Sequence, residues 1–136
     1  MQWVVLVLWI ATEATGAIMV NKFIRRGGLT DETIATRYVA ALFANFSLGT
    51  ASIALWIMFL FTGVDELAWA AFAQFLVVIL IGTILALPWH RARRSGHPTP
   101  LGGGEPAFAY PGLVEAGHAV LAWATAGCAA FVAFSR

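Results

Sequence analysis

The chain has 136 residues, 60% of them hydrophobic and 11% charged, with a mean hydropathy of +0.81. A water-soluble domain carries about a quarter charged residues, so one integral membrane domain over 1–136 is expected instead. The net charge of +1 and the lack of a soluble module argue against nucleic acid as a partner, and the lone Cys128 excludes an intrachain disulfide and a CxxC motif.

A membrane-spanning helix needs roughly 20 apolar residues, and the chain has four such segments. The first, about 3–21, carries Glu13 at its middle. No basic residue precedes it and no A-x-A-like site follows, so it reads as a retained helix rather than a secretory signal. Gly27-Gly28 then forms a helix stop. Thr30 is placed to cap a new helix, with Asp31 and Glu32 favoured in its first turn by the helix dipole. The second segment, about 38–62, presents Asn45, Gly49 and Ser52 as one stripe. The turn Thr62-Gly63-Val64-Asp65 is short, which makes the second and third segments an antiparallel hairpin. The third runs over about 66–89. From His90 to Pro111 the chain holds His97, Pro98, Pro100, Gly102–Gly104 and Pro106, and it reads as a long Pro/Gly-rich loop. The fourth segment, about 111–134, carries Glu115 and His118, then a small-residue face of Ala122, Ala126 and Ala130 suited to close helix approach. No internal repeat is visible. The expected fold is an all-α, four-helix transmembrane bundle.

Charge placement predicts the topology. Lys22, Arg25, Arg26 and Arg37 lie between segments one and two, and Arg91, Arg93 and Arg94 between three and four, so seven of the eight basic residues fall on one side. The positive-inside rule puts both basic loops in the cytoplasm and both termini outside, in a plasma (inner) membrane. Trp3, Trp56, Trp69 and Trp89 lie near segment ends, where interfacial tryptophans are expected. Arg91, Arg93 and Arg94 read as an anchor for lipid headgroups.

An ionisable group in hydrocarbon is costly unless it faces a partner or water. At about 1.5 Å rise per residue, Glu13, Asn45, Thr83, Glu115 and His118 lie about 13, 10, 9, 6 and 10 Å from the basic-loop boundary. In an antiparallel bundle such side chains can meet. Glu13, Asn45, Glu115 and His118 are therefore the candidate ion, proton or ligand residues. The structural alternative is a neutral Glu13 that hydrogen-bonds His118 or Asn45 and only fixes helix register.

Glu115-Ala-Gly-His118 also fits the Glu-x-x-His pattern with which di-iron bundles place a carboxylate and an imidazole on one metal, although a full di-iron site needs two such pairs and further carboxylates. Glu115 and His118 are thus the candidate metal ligands. Haem b needs axial histidines, for which His118 and His90 are the candidates. No nucleophile–base set is evident, and an enzyme acting alone is not expected.

The stretch Thr12-Glu13-Ala14-Thr15-Gly16 through Lys22-Phe23 resembles the first helix of small multidrug-resistance transporters. They too have an early membrane glutamate, a glycine three residues on and a lysine near the helix end. The likeness covers one helix of four, and the glutamate-to-lysine spacing here is one residue longer. It implies that Glu13 is a carboxylate for which protons and cations compete.

Small size and the lack of a complete active site favour an accessory subunit of a larger membrane complex, with other integral subunits and membrane lipids as partners. The alternatives are a homo-oligomeric transporter using Glu13 for protons or cations, and a metal- or haem-binding redox protein using Glu115 and His118.

Overall fold

The computed structural model describes residues 1–25, 27–30, 36–95 and 112–135. They form α1 (Gln2–Arg25), α2 (Thr36–Thr62), α3 (Asp65–Ser95) and α4 (Gly112–Phe134), with no strand among the described residues. Each helix is long and apolar enough to cross a membrane. Each packs on its neighbours in sequence, and α1 closes the ring against α4. Lys22, Arg25, Arg37 and Arg91 gather at one end of this antiparallel bundle, and Asp65 and Glu66 at the other. These ends are called basic and acidic below.

Local chemistry sets the helix ends. Gly27 adopts φ +81°, a conformation that costs glycine nothing. Its N–H donates to the Ile24 carbonyl at 3.0 Å, and Gly28 N–H donates to the Phe23 carbonyl at 3.0 Å. This pair of bonds is a Schellman motif, and it satisfies carbonyls that the end of α1 would leave bare. The Phe23 ring packs directly over Gly28, where a Cβ would meet ring carbons at 2.6 Å. At the acidic end Gly63, with φ +69°, turns α2 into α3, and Thr62 Oγ1 accepts the Val64 N–H at 3.3 Å. Asp65 and Glu66 then occupy the first turn of α3, at the positive end of its dipole.

Three expectations are corrected or bounded here. α3 does not stop near residue 89 but continues through Ser95 as a 31-residue helix with Pro88 inside it. The arginines of His90–Ser95 are good helix formers and suit a helix C-terminus, so the first effective breaker lies further on. Trp56 does not face outward: it is fully buried, and its indole N–H donates to the Gln2 carbonyl at 3.2 Å. Trp3 and Trp69 do face outward. Thr30 donates to the Gly27 carbonyl at 3.1 Å, while Asp31 and Glu32, the 96–111 stretch, and the side chains of Trp89, Arg93 and Arg94 lie outside the described residues.

The apolar core sits in the acidic half. Trp9 packs at 4.5 Å from Phe75 and 5.6 Å from Trp56, centroid to centroid, and Trp56 stacks edge-on with Phe59 at 5.1 Å. Of the expected small-residue face, Ala122 and Ala126 are buried and Ala130 is half-buried, with Ala129 and Ala133 buried beside them; such small side chains allow close helix approach. Where α1 and α4 touch, Thr12 Oγ1 and Thr125 Oγ1 lie 3.1 Å apart, each also bonded to the carbonyl four residues back. Each buried hydroxyl thus has a partner within the helices, as a site without water requires.

Candidate functional site

Towards the basic end the aromatic packing gives way to a cavity of about 280 Å³ between all four helices, with Phe75 and Ala122 among its walls. Glu13 from α1, Asn45 from α2, Thr83 from α3, and Glu115 and His118 from α4 all line it. The polar side chains that sequence depth set at one level therefore share one space. His90, from the basic end of α3, lines it as well.

Three glycines create room for these side chains. A Cβ on Gly49 would fall 2.5 Å from Glu13 Oε2, so the carboxyl group lies against the bare backbone of α2. The His118 ring packs on Gly16 of α1, where a Cβ would stand 3.4 Å from Cε1. The Asn45 amide faces Gly82 of α3, whose Cβ position is 3.9 Å away. Gly49 and Gly82 thus each receive a polar group from the preceding helix, and Gly16 receives one from α4.

The hydrogen bonds fix orientation further. Thr50 Oγ1 donates to Glu13 Oε1 at 3.0 Å and lies 3.2 Å from the Phe46 carbonyl. Thr15 Oγ1 donates to the Thr12 carbonyl at 2.7 Å and stands 2.8 Å from His118 Nδ1. The direction of the Thr15–His118 bond is set by the tautomer of the ring. Towards the basic end, His90 Nε2 lies 3.2 Å from Glu115 Oε1, with His90 half exposed and Glu115 largely buried. Glu115 therefore reaches across to α3. Asn45 Oδ1 is buried with no hydrogen-bond partner among the described residues.

Among the described residues no three His, Cys, Asp or Glu side chains are grouped as a metal ligand set. Arg91 continues α3 at the basic end. Sequence reasoning did not assign Thr12, Thr15 and Thr50 their bonding roles. Their signal was the clustering of hydroxyls and small residues around Glu13 and Gly49, which is unusual in a lipid-facing helix.

Comparison with models of known protein families, with curated proteins and with solved structures finds no match. The fold and the site thus define a class only: a small four-helix membrane protein with an ionisable cavity lined by all four of its helices.

The Glu13–Gly49 contact yields a prediction. Gly49→Ala forces the Glu13 carboxyl off α2 and strains its bond from Thr50. We expect affinity for a cavity ligand to fall about tenfold, the loss of one hydrogen bond to a charged group. Titration calorimetry of the variant checks it. Unchanged affinity would mean that the position of Glu13 does not matter to binding.

Proposed function

We propose that the chain is a cation-binding transport protein of the plasma (inner) membrane, with Glu13 as the group that holds a proton or a cation in turn. One observation supports this over the accessory-subunit and redox readings. The ionisable cavity draws its lining from all four helices, with Glu13, Glu115 and His118 among the lining residues. The basic end faces the cytoplasm on the positive-inside rule, so the cavity lies nearer that side. Intramembrane carboxylates at such positions serve proton and ion pathways by default.

The test is reconstitution of the purified chain in vesicles with an internal pH dye. A gradient of a bound monovalent cation should drive proton movement in the opposite direction, above the rate in protein-free vesicles. No cation-dependent proton movement with any of a panel of inorganic and organic monovalent cations would contradict the proposal.

A further inference from the structure

The cavity wall differs from side to side. Every lining residue on α1 and α2 is buried or half-buried. The exposed lining residues all belong to α3 and α4: Thr83, Leu87, His90, Ala119 and Trp123. Trp123 is 63% exposed and Leu87 41%. A residue that borders the cavity and also reaches the outer surface marks a thin wall. Apart from His90, these residues fall within Asp65–Pro88 and Leu113–Phe134, the stretches apolar enough to cross a membrane. The thin side therefore faces lipid. Its rim suits lipid too. Ile84 and Val120 are exposed and share faces with Leu87 and Trp123 at i, i+3 spacing. The Thr83 hydroxyl donates to the Ile79 carbonyl at 2.8 Å, so its proton is satisfied within α3.

Resting on the cation-binding reading above, we infer that the cavity opens sideways into the bilayer between α3 and α4 and takes a single-chain cationic amphiphile. The head sits inside with Glu13 and Glu115, and the chain leaves past Leu87 and Trp123 into lipid. The other two directions are less favourable to a cation. Towards the acidic end the lining residue Phe75 packs on the fully buried Trp9. Towards the basic end Lys22, Arg25, Arg37 and Arg91 gather, so a cation arriving from water there meets its own sign of charge. The His90–Glu115 contact at 3.2 Å also ties α3 to α4 on that side. An amphiphile avoids both routes, because each methylene of its chain draws it into the bilayer. Size points the same way. The volume of about 280 Å³ lies just below the roughly 300–1,000 Å³ that ligand sites span. It holds a head and the first carbons of a chain, and the remainder has an apolar rim to follow outward.

The test is photolabelling of the wild-type full chain in nanodiscs. The probe is dodecyltrimethylammonium with a diazirine midway along its chain, and the adducts are mapped by peptide mass spectrometry. Labelling of lipid-facing surfaces in general is not saturable, so only adducts lost on adding excess unlabelled dodecyltrimethylammonium count. The expected result is competed labelling on α3 and α4 around Ile84, Leu87, Val120 and Trp123. Competed labelling confined to Met19, Val20, Tyr38 and Leu42 would place the chain along the bundle axis and overturn the sideways opening. The same cation-driven proton assay in vesicles separates the remaining outcomes. No competed adduct, with proton movement still driven by small cations, would overturn the amphiphile assignment and leave the cation site standing. No competed adduct and no cation-driven proton movement would overturn both.

Discussion

Glu13→Gln should slow cation-driven proton movement in vesicles by about ten- to a hundredfold and leave the bundle as stable as before. The first effect follows from charge. A hydrogen bond to a charged group is worth about 1.5–3 kcal/mol, and about 1.4 kcal/mol is a factor of ten. Glutamine also cannot carry a proton between states. The second effect follows from shape. Glutamine keeps the volume and an oxygen for the Thr50 hydroxyl, which bonds Glu13 Oε1 at 3.0 Å. A purely structural Glu13, holding α1 to α2, would behave differently. Its replacement by alanine would then lower stability, and replacement by glutamine would leave transport intact. The split between flux and thermal midpoint therefore separates a working carboxylate from a register pin. Unchanged flux in Glu13→Gln would remove Glu13 from the mechanism.

Trp9→Ala should cost about 3 kcal/mol of bundle stability. Trp9 is fully buried between Trp56 and Phe75. In lipid there is no water-to-oil gain to lose, so the penalty is the lost packing around the void, about 24 cal/mol per Å³. Trp9→Phe leaves a much smaller void and should cost about 1 kcal/mol on the same scale. The Trp9 indole N–H has no hydrogen-bond partner among the described residues, so phenylalanine forfeits no bond and removes a bare donor. Reversible unfolding of mixed-micelle samples, followed by loss of helical signal with added SDS, checks both. Equal losses for Ala and Phe would show that the Trp9 N–H has a partner and that its bond, rather than its bulk, matters.

Much of this architecture could be read from residue type and order. Four apolar runs gave four helices, because nothing else satisfies the backbone in hydrocarbon. The Thr62–Asp65 turn and the Gly27–Gly28 stop fell where positive-φ glycines stand. Counting residues from the basic boundary put Glu13, Asn45, Thr83, Glu115 and His118 at one level, and these side chains line one cavity. Depth is a one-dimensional property, so a sequence carries it well.

Azimuth and cross-helix pairing were harder to see. Trp56 was taken for an interfacial residue because tryptophan suits a membrane boundary and a core equally. Its spacing after Asn45, Gly49 and Ser52, continued by Phe59, marks it as part of the same inward stripe. His90 and Glu115 meet because α3 runs helically past Pro88 to Ser95, and the prolines and glycines further on masked that extension. The contacts of Glu13 with Gly49 and of His118 with Gly16 depend on which helix neighbours which. No local pattern encodes that order.

Titration of the wild-type chain in nanodiscs with a panel of inorganic and organic monovalent cations, with Glu13→Gln alongside, tests the central claim most directly. A cation site built around Glu13 within a single chain predicts one bound cation per chain, and affinity at least about tenfold weaker in the variant. Equal binding to both proteins, or saturation at one cation per two chains, would contradict it.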